Sequence, residues 1–212
     1  MKIDRPAQAR LTLKALRKLY PEAECELTYS NPLELAVAVI LSAQCTDRRV
    51  NLVTPALFRR YGTAAAFAAA DPGELEGLIR STGFFRSKAR SIREMAAAVV
   101  REHGGKVPDT MAALLTLRGV ARKTANVILG TAYGKSEGIV VDTHMKRVTF
   151  RLGLTRRTDP VHVERDLMSC VPRADWIYFG HAMVWHGRRL CHARSPKCGE
   201  CPLSPFCPKR GL

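Results

Sequence analysis

The sequence predicts an all-α protein, on three observations. No stretch alternates apolar and polar residues with the period of two that marks a half-buried strand. Apolar residues recur instead at helical spacing. Capping residues followed by proline punctuate the chain at Asn31-Pro32, Asp71-Pro72 and Asp159-Pro160, which is how helices open, because proline lacks the N–H that the first turn leaves unpaired anyway.

In chain order, Gln8 to Tyr20 carries Leu11, Leu13, Leu16 and Leu19 on a helical repeat, and Pro21 stops it. Leu33 to Ala43 is apolar nearly all round, so that helix is expected to be buried. Thr46-Asp47 opens the next helix, which Pro55 is expected to kink or restart. A short alanine-rich helix over Thr63 to Ala70 precedes one from Asp71-Pro72 to Ser81. Gly83-Phe84-Phe85 reads as a turn bearing two aromatics. Ser87 to His103 is a long amphipathic helix ended by Gly104-Gly105. Pro108-Asp109 is expected to open a helix to Leu115, which feeds a turn at Gly119. After a helix through Gly130, Gly138 to Val141 forms a short apolar connection. Asp142 starts a helix to Arg151, Asp159-Pro160 starts another, and a last helix spans about Asp175 to Arg188.

A length of 212 residues allows one large domain or two small ones, and a hydrophobic content of 46% supports a real core. The charge is unusual: 34 Lys and Arg against 19 Asp and Glu leave a formal net charge of +15. A sequence pI near 10.0 points to a polyanionic partner, foremost nucleic acid. No apolar run reaches the ~18 residues of a spanning helix, so no membrane partner is expected. Arg5, Gln8, Arg10 and Lys14 interrupt any signal-peptide pattern near the start. These features predict a soluble, cytoplasmic protein.

Leu117-Arg118-Gly119-Val120-Ala121-Arg122-Lys123-Thr124-Ala125-Asn126 carries the chemistry. A glycine turn runs straight into a helix, so free backbone N–H groups face outward where they can hold a phosphate. Lys123 falls in the first turn of that helix, at the positive end of the dipole and beside Arg122. Both like charges favour the neutral amine, the form a nucleophile needs.

Seven cysteines divide into three scattered ones, Cys25, Cys45 and Cys170, which read as buried small hydrophobes, and four crowded together as Cys191-x6-Cys198-x2-Cys201-x5-Cys207. This is no disulfide framework and suits a metal site. A zinc ribbon offers two short pairs across a longer loop. Four cysteines nested within residues 191–207 suit a [4Fe–4S] cluster, with zinc left open by spacing alone. Arg194 and Lys197 lie within the loop, where metal ligation would hold them ready for phosphates.

With both the turn-lysine and the cysteine loop, the chain resembles the endonuclease III family of bifunctional DNA glycosylases. Leu117 to Asn126 (a helix-hairpin-helix with its lysine), Val140-Val141-Asp142-Thr143-His144 and the four-cysteine loop carry the resemblance. Leu41-Ser42-Ala43-Gln44-Cys45-Thr46-Asp47 supports it. The resemblance runs from the first helix to Cys207. It implies two helical lobes with a DNA groove between them: a six-helix barrel lobe over residues 24–134, and a [4Fe–4S] cluster lobe made of residues 1–23 and 135–212. It implies base excision repair, with removal of oxidised pyrimidines from double-stranded DNA and lyase cleavage at abasic sites, by a monomer working on the nucleoid.

By the same resemblance Lys123 is the nucleophile and Asp142 the catalytic carboxylate. Gln44 fills the gap left by a flipped nucleotide, and Phe84 wedges into the base stack. Arg118, Gly119, Ala121 and Arg122 would contact the DNA backbone through the hairpin, with His144, Arg194 and Lys197 adding contacts from the other lobe. Cys191, Cys198, Cys201 and Cys207 would hold the cluster. Locally, Asp142 also reads as an N-cap and His144 as a capping or packing residue. The family hairpin is Leu-Pro-Gly-Val-Gly. Here Arg118 replaces the proline and Ala121 the second glycine, which would strain the turn if that position needs a positive φ. Competing functions are a mismatch adenine glycosylase of the same superfamily, a non-catalytic DNA-binding module and an electron carrier.

Overall fold

The structure, a computed structural model, describes residues 4–212. Eleven α-helices and no strand occur among the described residues. The chain divides into two compact units. One comprises Cys25–Lys135, and the other joins the segment up to Glu24 to Ser136–Leu212. Residues 1–3, which the sequence reading places with the cluster lobe, lie outside the described residues.

The continuous unit holds α2 (Pro32–Leu41), α3 (Asp47–Arg60), α4 (Ala64–Ala68), α5 (Pro72–Ile79), α6 (Phe85–His103), α7 (Met111–Thr116) and α8 (Arg122–Tyr133). Every residue of α2 from Leu35 to Leu41 is buried, as its all-round apolar pattern requires. It packs against α3, α6 and α8, while α4 and α5 pack on α6. Asn31 caps α2 through the Glu34 N–H at 3.0 Å, and Glu34 reaches back to the Ser30 N–H at 2.6 Å, a reciprocal closure of the helix start.

Two local expectations fail. Pro55 lies inside α3 without restarting it. The bond it removes is one of many in a 14-residue helix, and the burial of Val50, Thr54 and Leu57 keeps the helix continuous across it. Pro108-Asp109 does not open α7; Thr110 does, its hydroxyl accepting from the Ala113 N–H. The side chain of Asp109 instead pairs with Lys135 at 2.5 Å.

The discontinuous unit holds α1 (Arg5–Leu19), α9 (Thr143–Arg151), α10 (Pro160–Met168) and α11 (Trp176–Arg189), with α11 against α9 and α1. Its core gathers Leu13, Leu16, Met145, Val148, Val163, Leu167, Phe179 and Met183. Trp176 is buried, and Tyr178 and Trp185 pack on this core from its edge. Cys170 is buried, whereas Cys25 and Cys45 are only half-buried. Gly187 of α11 touches α9 so closely that a Cβ there would fall 2.8 Å from the His144 Cβ. Gly187→Ala should therefore destabilise this unit by about 1–3 kcal/mol, the usual cost of overpacking, read as a lower denaturation midpoint with an unchanged slope.

Candidate active site and cysteine cradle

The hairpin forms as expected, between α7 and α8. Gly119 adopts φ +80°, a conformation that favours glycine, and a Cβ there would stand 3.1 Å from the Ser91 Cβ of α6 and 3.5 Å from Ile40 Cδ1 of α2. The turn is thus seated on two other helices. Ala121 is different. Its φ is −85°, an extended conformation open to any residue, so the strain expected from replacing a glycine there is absent.

Ala121 is the N-cap of α8 and offers no side-chain bond to the first turn. That sets α8 apart. Asn31, Thr46, Thr63, Asp71 and Thr110 cap the other helices of this unit with side-chain oxygens, and only α6 and α8 start without one. Ala121 thus supplies no side-chain acceptor to the first turn of α8, and a helix start of this kind suits an external anion. Lys123 lies in this first turn, exposed, with Arg122 exposed beside it. Arg118 pairs with Glu94 at 3.2 Å, and both side chains are about half exposed. Such a pair is worth ~1 kcal/mol or less, so it yields readily to a phosphate.

Gln44 and Phe84 are both exposed, Phe84 at 65% of its surface. Both hold left-handed backbones, with φ +51° and +48°. For non-glycine residues each costs of order 1–3 kcal/mol and marks a held, presented side chain. Phe85 behaves otherwise: it packs half-buried on the core, with the Arg80 and Arg86 guanidinium groups 5.8 and 5.5 Å from its ring centre.

In the other unit, Asp142 caps α9, its Oδ1 accepting from the Met145 N–H at 2.7 Å. Its Oδ2 has no hydrogen-bond partner among the described residues. His144 is half-buried, with Nδ1 3.1 Å from Arg147 Nη2. Burial outweighs the nearby Asp142 and holds its imidazole below the usual histidine range, so the ring is neutral near pH 7. Its seat against Gly187 makes it a packing residue first.

None of the seven cysteines is in a disulfide, and Cys191, Cys198, Cys201 and Cys207 line one pocket with Val148, Arg151 and His186. The donor set fits an iron–sulfur cluster, which takes four thiolates, and cationic or N–H groups stand ready for its negative charge. Arg151 Nη1 lies 3.3 Å from the Cys191 sulfur, and the same guanidinium donates to the His192 and Ala193 carbonyls at 2.6 and 3.0 Å. His186 Nε2 lies 3.5 Å from the Cys201 sulfur, and Arg147 donates to the Cys191 and Gly187 carbonyls. Sequence reading missed Arg147, Arg151 and His186. Arg147 and Arg151 stand four residues apart on α9, and that spacing was the available signal for a shared face. Arg194 and Lys197 are exposed on the loop, Lys197 facing Glu200 at 3.8 Å.

Residues 37–173 match the family model of the HhH-GPD superfamily of base excision DNA repair proteins, and residues 191–207 match the iron–sulfur binding domain of endonuclease III. The chain is 56% identical over 196 residues to the endonuclease III of Synechocystis, covering 92% of this chain and 90% of that one. It is 45% identical to that of Bacillus subtilis, covering 94% and 91%. A solved non-covalent endonuclease III–DNA complex superposes with a TM-score of 0.92 at 44% identity, covering 96% of this chain and 95% of that one. A trapped endonuclease III–DNA covalent intermediate gives a TM-score of 0.92 at 43% identity, covering 96% of each.

Two outcomes test the local geometry. Ala121→Gly should leave DNA affinity within about twofold, because no strain is there to relieve, whereas Gly119→Ala should weaken both folding and DNA binding; fluorescence anisotropy with a labelled duplex measures each. Cys198→Ser should lose the visible absorbance of the cluster and loosen the C-terminal segment to proteolysis. On hairpin, cysteine cradle and whole-chain likeness together, the chain belongs to the endonuclease III family.

Proposed function

We propose that this chain removes oxidised pyrimidines from duplex DNA and then cleaves the strand at the resulting abasic site, with Lys123 as the nucleophile. The observation that carries the reading is the exposed, uncapped start of α8 behind the Gly119 turn, with Lys123 in its first turn. A backbone phosphate there accepts from N–H groups of the turn and the helix start. It also brings the sugar of that strand within reach of the lysine amine.

A base inside a duplex is out of reach and must be flipped out, at a cost of a few kcal/mol that is least for a damaged base. Phe84 stacks into the gap and Gln44 replaces the lost hydrogen bonds. The neutral Lys123 amine attacks C1′, and the C1′–N bond to the base breaks. The base leaves with that electron pair and takes up a proton. Opening of the sugar gives an iminium at C1′, with O4′ protonated. The iminium acidifies the 2′ hydrogen. Its loss drives out the 3′ phosphate by β-elimination, and water later frees the lysine. A covalent path replaces one hard displacement by several easier steps.

Asp142 would serve twice: Oδ1 caps α9, which fixes the carboxylate, and the carboxylate's negative charge would stabilise the positive charge that develops on the sugar. Arg118, Arg122, Arg194 and Lys197 hold phosphates by charge, Gly119 and Ala121 by backbone N–H, and His144 contributes a neutral hydrogen bond. Cys191, Cys198, Cys201 and Cys207 would hold the [4Fe–4S] cluster and so close the loop on itself, while Arg147 and Arg151 fasten it to α9, so Arg194 and Lys197 need little further ordering. The chain acts as a monomer on the nucleoid. None of its helices is long and apolar enough to cross a membrane among the described residues.

Borohydride reduction on a duplex with one abasic site tests the chemistry, since it freezes the iminium as a stable protein–DNA adduct. Wild type should give the adduct and Lys123→Gln should not, while DNA affinity stays within about tenfold because only one charge is lost. An adduct that persists in Lys123→Gln would remove the lysine from the role. A chain that binds but forms no adduct would be the non-catalytic relative.

A further inference from the structure

Lys88 lies in the first turn of α6 on its apolar stripe, in register with Ile92, Met95 and Val99, and only 4% of it is exposed. Lysine is almost never this buried without a compensating partner. Its partners are two backbone carbonyls from different segments. Nζ donates to the Leu41 carbonyl at 2.8 Å and to the Thr82 carbonyl at 2.7 Å. Burial pushes the ammonium below the usual lysine range, a cost that a residue used only for packing would avoid.

The two carbonyls are distinctive. Leu41 is the last residue of α2, and Thr82 is the last residue of the 3₁₀ turn Arg80–Thr82. Both are C-terminal acceptors without a continuing helix to satisfy them, and a cation suits the negative end of a helix. From these two points the chain leaves into the two exposed left-handed residues: Gln44 follows Leu41 by three positions and Phe84 follows Thr82 by two. Other bonds stiffen each segment alone. Ser42 Oγ donates to the Val39 carbonyl, the Cys45 N–H to the Ser42 carbonyl, and the Gly83 N–H to the Arg80 carbonyl. Lys88 alone among these groups joins one segment to the other.

We propose that Lys88 is a positioning residue that clamps the roots of the Gln44 and Phe84 loops together, so that both side chains enter the duplex as one preformed unit. The proposal rests on the reading above that Gln44 and Phe84 enter DNA. Its consequence is specific to base extrusion. Two probes held at fixed separation can take the place of the flipped nucleotide in one event, whereas independent loops must each be ordered against the helix at that moment. Loss of the clamp should therefore slow steps that need a paired base to be opened, and spare chemistry on a base already unpaired.

The test compares single-turnover excision of one oxidised pyrimidine from two substrates, a fully paired duplex and the same lesion in an unpaired bulge. Lys88→Met keeps the side-chain volume and removes both bonds. It should slow the paired substrate by about tenfold or more and the bulged one by less than about threefold. Lys88→Gln retains one short donor and should shift the same ratio in the same direction, a safeguard should Lys88→Met fold poorly. In a Phe84→Ala background, Lys88→Met should cost less than it does alone, because the presented group is already gone. Equal slowing of both substrates, or additive effects with Phe84→Ala, would reduce Lys88 to a structural residue and overturn the clamp. Phe84→Ala and Gln44→Ala serve as separate controls. If neither slows paired excision, the reading of these loops fails; if they do and Lys88→Met does not, the clamp alone fails.

Discussion

From Leu35 onward helix α2 is buried on every side, and most of the continuous unit can be understood from that. Seven consecutive residues, Leu35 to Leu41, are buried, and each large aliphatic among them contributes roughly 1.5–3 kcal/mol relative to exposure. A helix of this kind has to be surrounded, and α3, α6 and α8 surround it. The surrounding helices are the ones that carry function at their ends. Ile40 of α2 is also part of the surface on which the Gly119 turn is seated. A buried central helix thus holds the Gly119 turn, and the exposed loop at its own C-terminus, in a rigid frame.

The groups proposed to act on DNA in such a frame gather where local rules of stability are relaxed. Helices α6 and α8 forgo side-chain caps, and Gln44 and Phe84 accept left-handed backbones. Each departure has a cost. An uncapped start typically forfeits ~1 kcal/mol, and strain of this size persists only when the surroundings over-determine it. The deep burial of α2 and of the α6 stripe Ile92, Met95, Ala96 and Val99 supplies that margin.

The other unit solves a different problem. After α11 the chain has only the short 3₁₀ turn Ser204–Phe206 and a series of turns, too little regular structure to bury a core of its own. Arg147, Arg151 and His186 reach into this segment from α9 and α11, so the loop is fastened by side chains as well as by its cofactor. The metal and the two helices act on the same few residues, which is why a short cysteine-rich tail can present cations in a defined place.

Local chemistry was enough to read much of this from the sequence. Capping residues and prolines mark helix starts because the first turn needs an acceptor and no N–H, so the Asn31, Asp71, Asp142 and Asp159 starts were legible. So were the Gly119 turn, the place of Lys123 in the first turn of its helix and the cysteine loop, whose signals all lie within ten to twenty residues. What only the tertiary structure decided depends on partners far along the chain. Pro55 stays inside a continuous helix because packing overrides a local break. Ala121 is unstrained because the turn places its positive φ at Gly119 alone. Phe84 is exposed and Phe85 is tucked in, although they are adjacent and identical. Lys88 shows the limit best. Its place on an apolar stripe was visible, but its meaning came only from two carbonyls, 47 and 6 residues away, that folding brings to one ammonium group.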